Sequence, residues 1–352
     1  AIHFDQVARL GPLQQAADRN DRRDRHLPGD DRRMRQQAPP FDQQSGAGRE
    51  QHDPARIGAF GDKDFTIFYF GAARIAAEAA LRVGSGLVSL ATRAQHVAPA
   101  LATRPEIMVH AVEGAADLRP LLERANVVAV GPGLGQDSWA EALWGAVCDA
   151  GLPTVVDADA LRLLAVTPQR RDDWVLTPHP GEAARLLDMS IELIQSDRFA
   201  AVSALQQRYG GTVVLKGAGS LVASGAQRPP AVCSEGNPGM ASGGMGDVLG
   251  GMLAALLAQG LGLFEAASAG VWLHGKAADL AAGEHGELDL PDMELSPEAV
   301  LDVAERATQA ANALARLDEE ERVQEVARML GGRETTSTTL KHAREMLRNV
   351  RD

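Results

Sequence analysis

From residue 65 onward the chain alternates two patterns. Short apolar runs bounded by Gly, Pro or Asp are followed by longer stretches in which small and aliphatic residues recur at helical spacing. The runs at 87–92, 126–130, 153–159, 174–176 and 231–236 read as strands. RYGGTVVLKGAGSLVAS (208–224) reads as two strands joined by a KGAGS turn. FTIFYF (65–70) reads as a further short strand leading into a small-residue helix, GAARIAAEAALRVGSG (71–86). Strands interleaved with helices predict βα units and an α/β fold with a mostly parallel central sheet.

Both ends depart from that pattern. Residues 1–64 are rich in Arg, Asp, Gln and Pro and hold few aliphatic side chains, so they bury too little to offset the entropy of ordering. An irregular or disordered extension is expected there, and the composition is also that of a GC-rich coding region read out of frame. Beyond 288 the pattern is helical and amphipathic, with Ser296 as N-cap, Pro297 in the first helical position and Glu298 in the first turn. The expected division is therefore an extension (1–64), a core (65–287) and a helical extension (288–352).

Composition narrows the function classes. The 352 residues carry 47 acidic against 35 basic side chains, a net charge of −12, which argues against a general nucleic-acid surface. Cys148 and Cys233 are too few for a disulfide framework or a cysteine metal cluster, and they fit a reducing cytoplasm. No N-terminal apolar run resembles a signal peptide. The apolar stretch 248–264 contains Gln259 and several glycines, so it reads as a buried helix rather than a membrane span.

The densest candidate chemistry lies in NPGMASGGMGDVLGGMLAALLAQG (237–260). Gly243, Gly244, Met245 and Gly246 let backbone N–H groups approach an oxyanion just where a helix begins. Asp247 beside such a cradle adds repulsion unless it serves as a base or meets a metal, although Asp also caps helices well. Asp157 and Asp159 close a strand and can hold Mg²⁺ through water, or one of them caps the next helix. His179 is held between Pro178 and Pro180, which restrict its backbone. Glu182 stands where an acid favours a helix N-terminus, or where it organises a metal or phosphate water. GPGLG (131–135) and KGAGS (216–220) are each weak signals that plain turns would also explain.

Taken together, GPGLG, VVDADAL, TPHPGEAARLL, KGAGS and GGMGDVLGG stand in an order that resembles the ADP/ATP-dependent NAD(P)H-hydrate dehydratase family. The resemblance spans about 71–287 and implies a ribokinase-like three-layer αβα fold and repair of hydrated NADH and NADPH, with ADP or ATP as co-substrate and Mg²⁺. It implies substrate contacts at Ala72, Gly133, Gly135, His179 and Asp247. It implies nucleotide contacts at Lys216, Gly217, Ala218, Gly219, Ser220 and Gly246, with Asp247 as the catalytic base. A glycine-rich loop that the family carries before the helix of Ala72 is missing, since Phe70 abuts Gly71. A ribokinase-like alcohol kinase and an inactive nucleotide-binding relative are the competing readings, and a homo-oligomer without membrane or nucleic-acid partners is expected.

Residues 317–347 resemble the extreme C-terminus of RecN-type bacterial repair ATPases. That stretch holds none of the ATP-binding motifs of those proteins, so no activity is carried over. A fusion, or sequence joined from unrelated coding regions, is the expectation for the two ends.

Overall fold

The structure, a computed structural model, describes residues 2–3, 66–102, 104–225, 227–284, 296–316 and 340–341. The expectations for 4–64 and for most of 317–347 lie outside the described residues. In chain order the elements are β1 (Ile2–His3), α1 (Thr66–Arg82), β2 (Ser89–Thr92), α2 (Ala94–Leu101), β3 (Met108–Ala111), α3 (Ala115–Leu122), β4 (Val128–Val130) and α4 (Ser138–Ala150). They continue as β5 (Thr154–Val156), α5 (Ala158–Val166), β6 (Trp174–Leu176), α6 (Pro180–Leu187), α7 (Ile191–Ser196), α8 (Arg198–Tyr209), β7 (Thr212–Leu215), β8 (Ser220–Ser224) and β9 (Ala231–Cys233). The long helices α9 (Met245–Ala258), α10 (Leu263–Glu284) and α11 (Pro297–Arg316) follow.

The main sheet runs β1-β9-β8-β7-β6-β5-β4, and β2 with β3 forms a separate parallel pair. Strands β4 to β7 are parallel neighbours, while β8 is antiparallel to both β7 and β9. Successive side chains of a strand face opposite ways. Accordingly Val155, Val175, Val214 and Val222 join a core layer with α1, α9, α10 and α11, whereas Val156, Leu176, Val213 and Leu215 join a second layer with α3 to α8. The three-layer architecture follows from strands apolar on both faces.

The segment 66–70 is helical, not a strand. Its aromatic residues favour strands, but no proline or turn separates them from the alanine-rich stretch that follows, and α1 runs through both. The packing of α1 on α9 needs a glycine. A Cβ on Gly251 would lie 2.1 Å from the Ala76 carbonyl oxygen, so the two backbones meet almost directly.

Helix α11 is docked on this layer. Ser296 Oγ accepts the Ala299 N–H at 3.2 Å, the cap read from the sequence. Val300, Leu301, Val303 and Ala304 are buried, and Arg82, its side chain 5% exposed, meets Glu78, Glu298, Asp302 and Glu305. Pro297 sits against the glycine loop, since a Cβ on Gly244 would lie 3.0 Å from Pro297 Cγ and 3.1 Å from Ile75 Cδ1.

Candidate active site

Because β4 to β7 are parallel, the segments that leave their carboxyl ends gather along one edge of the sheet: GPGLG after β4, Asp157 after β5, Thr177 to His179 after β6 and KGAGS after β7. That edge is where ligands of open α/β sheets bind. The N-terminus of α9 meets it as well, for a Cβ on Gly246 would lie 3.4 Å from Lys216 Nζ and 3.7 Å from Asp157 Oδ2. Gly133, Gly135, His179, Asp247 and the glycines of 217–219 thus fall on one edge, while Ala72 lies on α1, one turn before the Ile75 that touches Gly244.

Two backbone features hold the edge together. Gly131 has φ +125°, and a Cβ there would lie 1.7 Å from the Asp157 carbonyl oxygen, so the two loops pack backbone to backbone. Ala158 follows with φ 46°, a left-handed conformation that alanine rarely takes.

Strand β5 ends at Val156, so Asp157 and Asp159 do not share a strand face. Asp157 stands at the N-cap position of α5 but makes no cap bond; its Oδ1 accepts from Lys216 Nζ at 2.7 Å. Asp159, in the first turn of α5, accepts the Gly135 N–H at 2.9 Å and a Gln136 Nε2 bond at 3.3 Å. Gln136 thereby fixes the GPGLG loop, a role no motif signalled.

Lys216 is an ion-pair partner inside the edge rather than a free point charge at the turn. Its ammonium lies 2.7 Å from Asp157 and 3.9 Å from Glu182. Burial alone would lower its pKa, but Asp157 and Glu182, with Asp247 beyond them, raise it on balance. Glu182 closes a capping box: its Oε2 accepts the His179 N–H at 2.8 Å, and His179 Nδ1 accepts the Gly181 N–H at 3.0 Å. Burial, and then the Asp157 charge, push Glu182 up to about 7 against the pull of Lys216. Burial and Lys216 lower His179, so its imidazole is neutral near pH 7 and carries its proton on Nε2, 3.5 Å from Glu182 Oε1.

Asp247 does not cap α9. The N-cap is Gly244, with φ +93° and no side-chain bond. Asp247 occupies the third helical position, and its carboxylate takes part in no hydrogen bond among the described residues. The N–H groups of Met245, Gly246 and Asp247 are the first of the helix and donate to no backbone carbonyl among the described residues. Burial, then Asp157, raise the Asp247 carboxyl to about 6, opposed by Lys216 and helped by Asp159. A half-buried carboxylate titrating near neutrality beside three free N–H groups can take a proton from a nucleophile while those amides hold an oxyanion.

The turn that delivers the loop is braced separately. Asp279 of α10 accepts the Gly236 N–H at 2.9 Å and an Asn237 Nδ2 bond at 3.0 Å, and Asn237 Oδ1 accepts the Gly239 N–H at 3.1 Å. No group of three His, Cys, Asp or Glu side chains among the described residues is placed to hold a metal. Asp157, Asp159 and Glu182 are already engaged by protein donors, so this edge suits a Mg²⁺ carried by phosphate oxygens and water rather than by a protein cage.

An α/β enzyme of ribokinase-like architecture, with a helix N-terminus and an acid at the carboxyl edge of its sheet, is the class these features define. The chain belongs to the NAD(P)H-hydrate dehydratase family, whose model matches residues 61–298. It is 54% identical over 227 residues to the bifunctional NAD(P)H-hydrate repair enzyme of Coxiella burnetii, covering 64% of this chain and 46% of that one. It is 39% identical over 266 residues to the ADP-dependent (S)-NAD(P)H-hydrate dehydratase of Neisseria meningitidis, covering 72% of this chain and 88% of that one. Among solved structures, an ADP/ATP-dependent NAD(P)H-hydrate dehydratase from Bacillus subtilis, co-crystallised with ATP/Mg²⁺ and soaked with CoA, superposes with a TM-score of 0.58 at 25% identity, covering 71% of this chain and 89% of that one. The chain spans less than half the length of the bifunctional relatives it matches.

Proposed function

We propose that the chain dehydrates the S-epimer of hydrated NADH or NADPH at the expense of ADP or ATP, restoring the reduced nicotinamide. The observation that carries this reading is Asp247, a carboxylate with no hydrogen bond among the described residues, raised to about 6 and set beside the N–H groups of Met245 and Gly246, which meet no acceptor among those residues either. In this reading the nucleotide lies along Lys216 to Ser220 with its terminal phosphate over Gly243 to Asp247. The hydrated ring lies between the 131–135 loop, His179 and Asp247, with Ala72 at its border. Asp247 takes the proton of the substrate hydroxyl as that oxygen attacks the terminal phosphorus, and the bond from phosphorus to the nucleotide breaks. The amides of 245–247 hold the charge that develops on the phosphoryl oxygens. Phosphate then leaves the ring with the electron pair of the C–O bond, the neighbouring ring carbon gives up a proton to solvent, and the electrons of that C–H bond restore the double bond. Mg²⁺ bound with the nucleotide would screen phosphate charge.

The test mixes the purified chain with hydrated NADH, ADP and Mg²⁺ and follows recovery of the absorbance specific to reduced nicotinamide. ADP-dependent recovery is expected. A stable phosphorylated product without recovery would make the chain a kinase instead. We also propose a homo-oligomer, supported by the exposed Met189, Ile191, Leu193 and Phe199, with light scattering as the check.

A further inference from the structure

Arg198 opens helix α8, where a cation opposes the helix dipole. No carboxylate lies within ion-pair distance of it among the described residues, and the neighbouring Asp197 is committed to the Ala200 N–H at 2.9 Å. Its Nη1 donates to the Ala218 carbonyl, and its Nη2 donates to Leu215 at 3.3 Å and Lys216 at 3.4 Å. Nε is buried without a partner among the described residues. A guanidinium held only by carbonyls, at the wrong end of a helix, is costly to the fold, and burial lowers its pKa.

What the arrangement achieves is visible in the peptide groups it grips. In a trans peptide the N–H points opposite to the C=O. Drawing the carbonyls of Leu215, Lys216 and Ala218 toward Arg198 therefore turns the N–H groups of Lys216, Gly217 and Gly219 to the other side. The first is used, donating to the Pro178 carbonyl at 2.9 Å. Those of Gly217 and Gly219 meet no acceptor among the described residues, and both glycines sit at positive φ, 139° and 66°. A side chain at the first would be strained by that φ, and its Cβ, 3.1 Å from Arg198 Nη2, would push the guanidinium back by a few tenths of an ångström.

We propose that Arg198 is a positioning residue for the nucleotide: it presets the Gly217 and Gly219 amides as an anion site and supplies the unneutralised positive charge behind them, so that the turn binds the inner phosphate of an adenine nucleotide. This rests on the reading of 216–220 as the nucleotide site and adds what the turn recognises and how. The charge of Lys216 is already matched by Asp157, which leaves Arg198 as the cation whose field reaches a bound phosphate.

The experiment titrates the full chain and its Arg198→Met and Arg198→Lys variants with AMP, adenosine and NADH by calorimetry, with thermal unfolding of each free protein recorded alongside. Arg198→Met is expected to weaken AMP about 10- to 100-fold while leaving adenosine and NADH within about twofold. Arg198→Lys, which keeps the charge but not the planar fork, should fall between, and guanidinium ion added to Arg198→Met should recover part of the AMP affinity. The lysine variant carries the test should the methionine variant fail to fold. Unchanged AMP affinity in either folded variant would overturn the proposal, and so would an equal loss for AMP, adenosine and NADH. Failure of the unaltered chain to bind AMP would instead remove the nucleotide reading on which it stands.

Discussion

Lys216 Nζ lies 2.7 Å from Asp157 Oδ1, joining the end of β7 to the end of β5 beneath the glycine loop of α9. One ammonium there faces Asp157, Glu182 and Asp247; burial first, and then the Asp157 charge, hold the last two high against its pull.

Removing that ammonium leaves buried carboxylates without a cation, a loss of about 3–5 kcal/mol by analogy with other broken buried pairs. Lys216→Met should therefore unfold at markedly lower urea at pH 8, and less so at pH 5, where Glu182 and Asp247 are protonated. A destabilisation equal at both values would show that packing, not charge, is what Lys216 contributes.

Asp247→Asn should keep nucleotide affinity and lose about 10²- to 10⁴-fold in turnover. For the unaltered chain the rate should rise with pH through about 6, because the base acts only when ionised. Steady-state kinetics of both proteins from pH 5 to 8 check this; a variant with near-normal turnover would rule Asp247 out as the base.

Glu182 binds its proton more tightly in the fold than its ordinary 4.5, holding it up to about 7. Between those values the unfolded chain carries fewer protons than the folded one, so stability is present below about 4.5 and declines as pH rises through about 7. Glu182→Gln preserves an acceptor for the His179 N–H and removes the titration. Its melting temperature should fall less between pH 4.5 and 8 than that of the unaltered chain, and parallel curves would contradict the assignment.

Ala158 holds φ 46° between Asp157 and the body of α5. A glycine adopts that conformation without the steric cost, so Ala158→Gly should stabilise by about 1 kcal/mol, less its own loss of unfolded-state restriction. Thermal unfolding measures it, and destabilisation would mean that the alanine methyl packs more than it strains.

Where a signal was local, the sequence carried it. Trp174–Leu176 is a strand because an apolar run stops at the Thr-Pro turn, and Ser296 caps α11 because Pro297 and Glu298 suit the first turn. The gathering of GPGLG, His179 and KGAGS follows from parallel strands, whose carboxyl ends must share an edge. Illegible were the pairings that only the assembled sheet creates: Lys216 finds Asp157 across 59 residues, and Asp159 turns to Gly135 because β5 stops before it. FTIFYF has the composition of a strand, yet 66–70 is helical, because nothing between those aromatics and the alanine run of α1 breaks the helix. Arg198 carried no motif at all. Its meaning lies in which carbonyls it holds.

The docked helix α11 bears on where the chain can be shortened. The family match ends at residue 298, an inviting place for an expression clone to stop. A stop there would strip Val300, Leu301, Val303 and Ala304 from the core layer and take Asp302 and Glu305 from Arg82. Pro297 would remain against Gly244 with no helix behind it. Trimming by homology would thus deliver a protein whose glycine loop has lost its backing, and an inactive preparation would say more about the cut than about the chain.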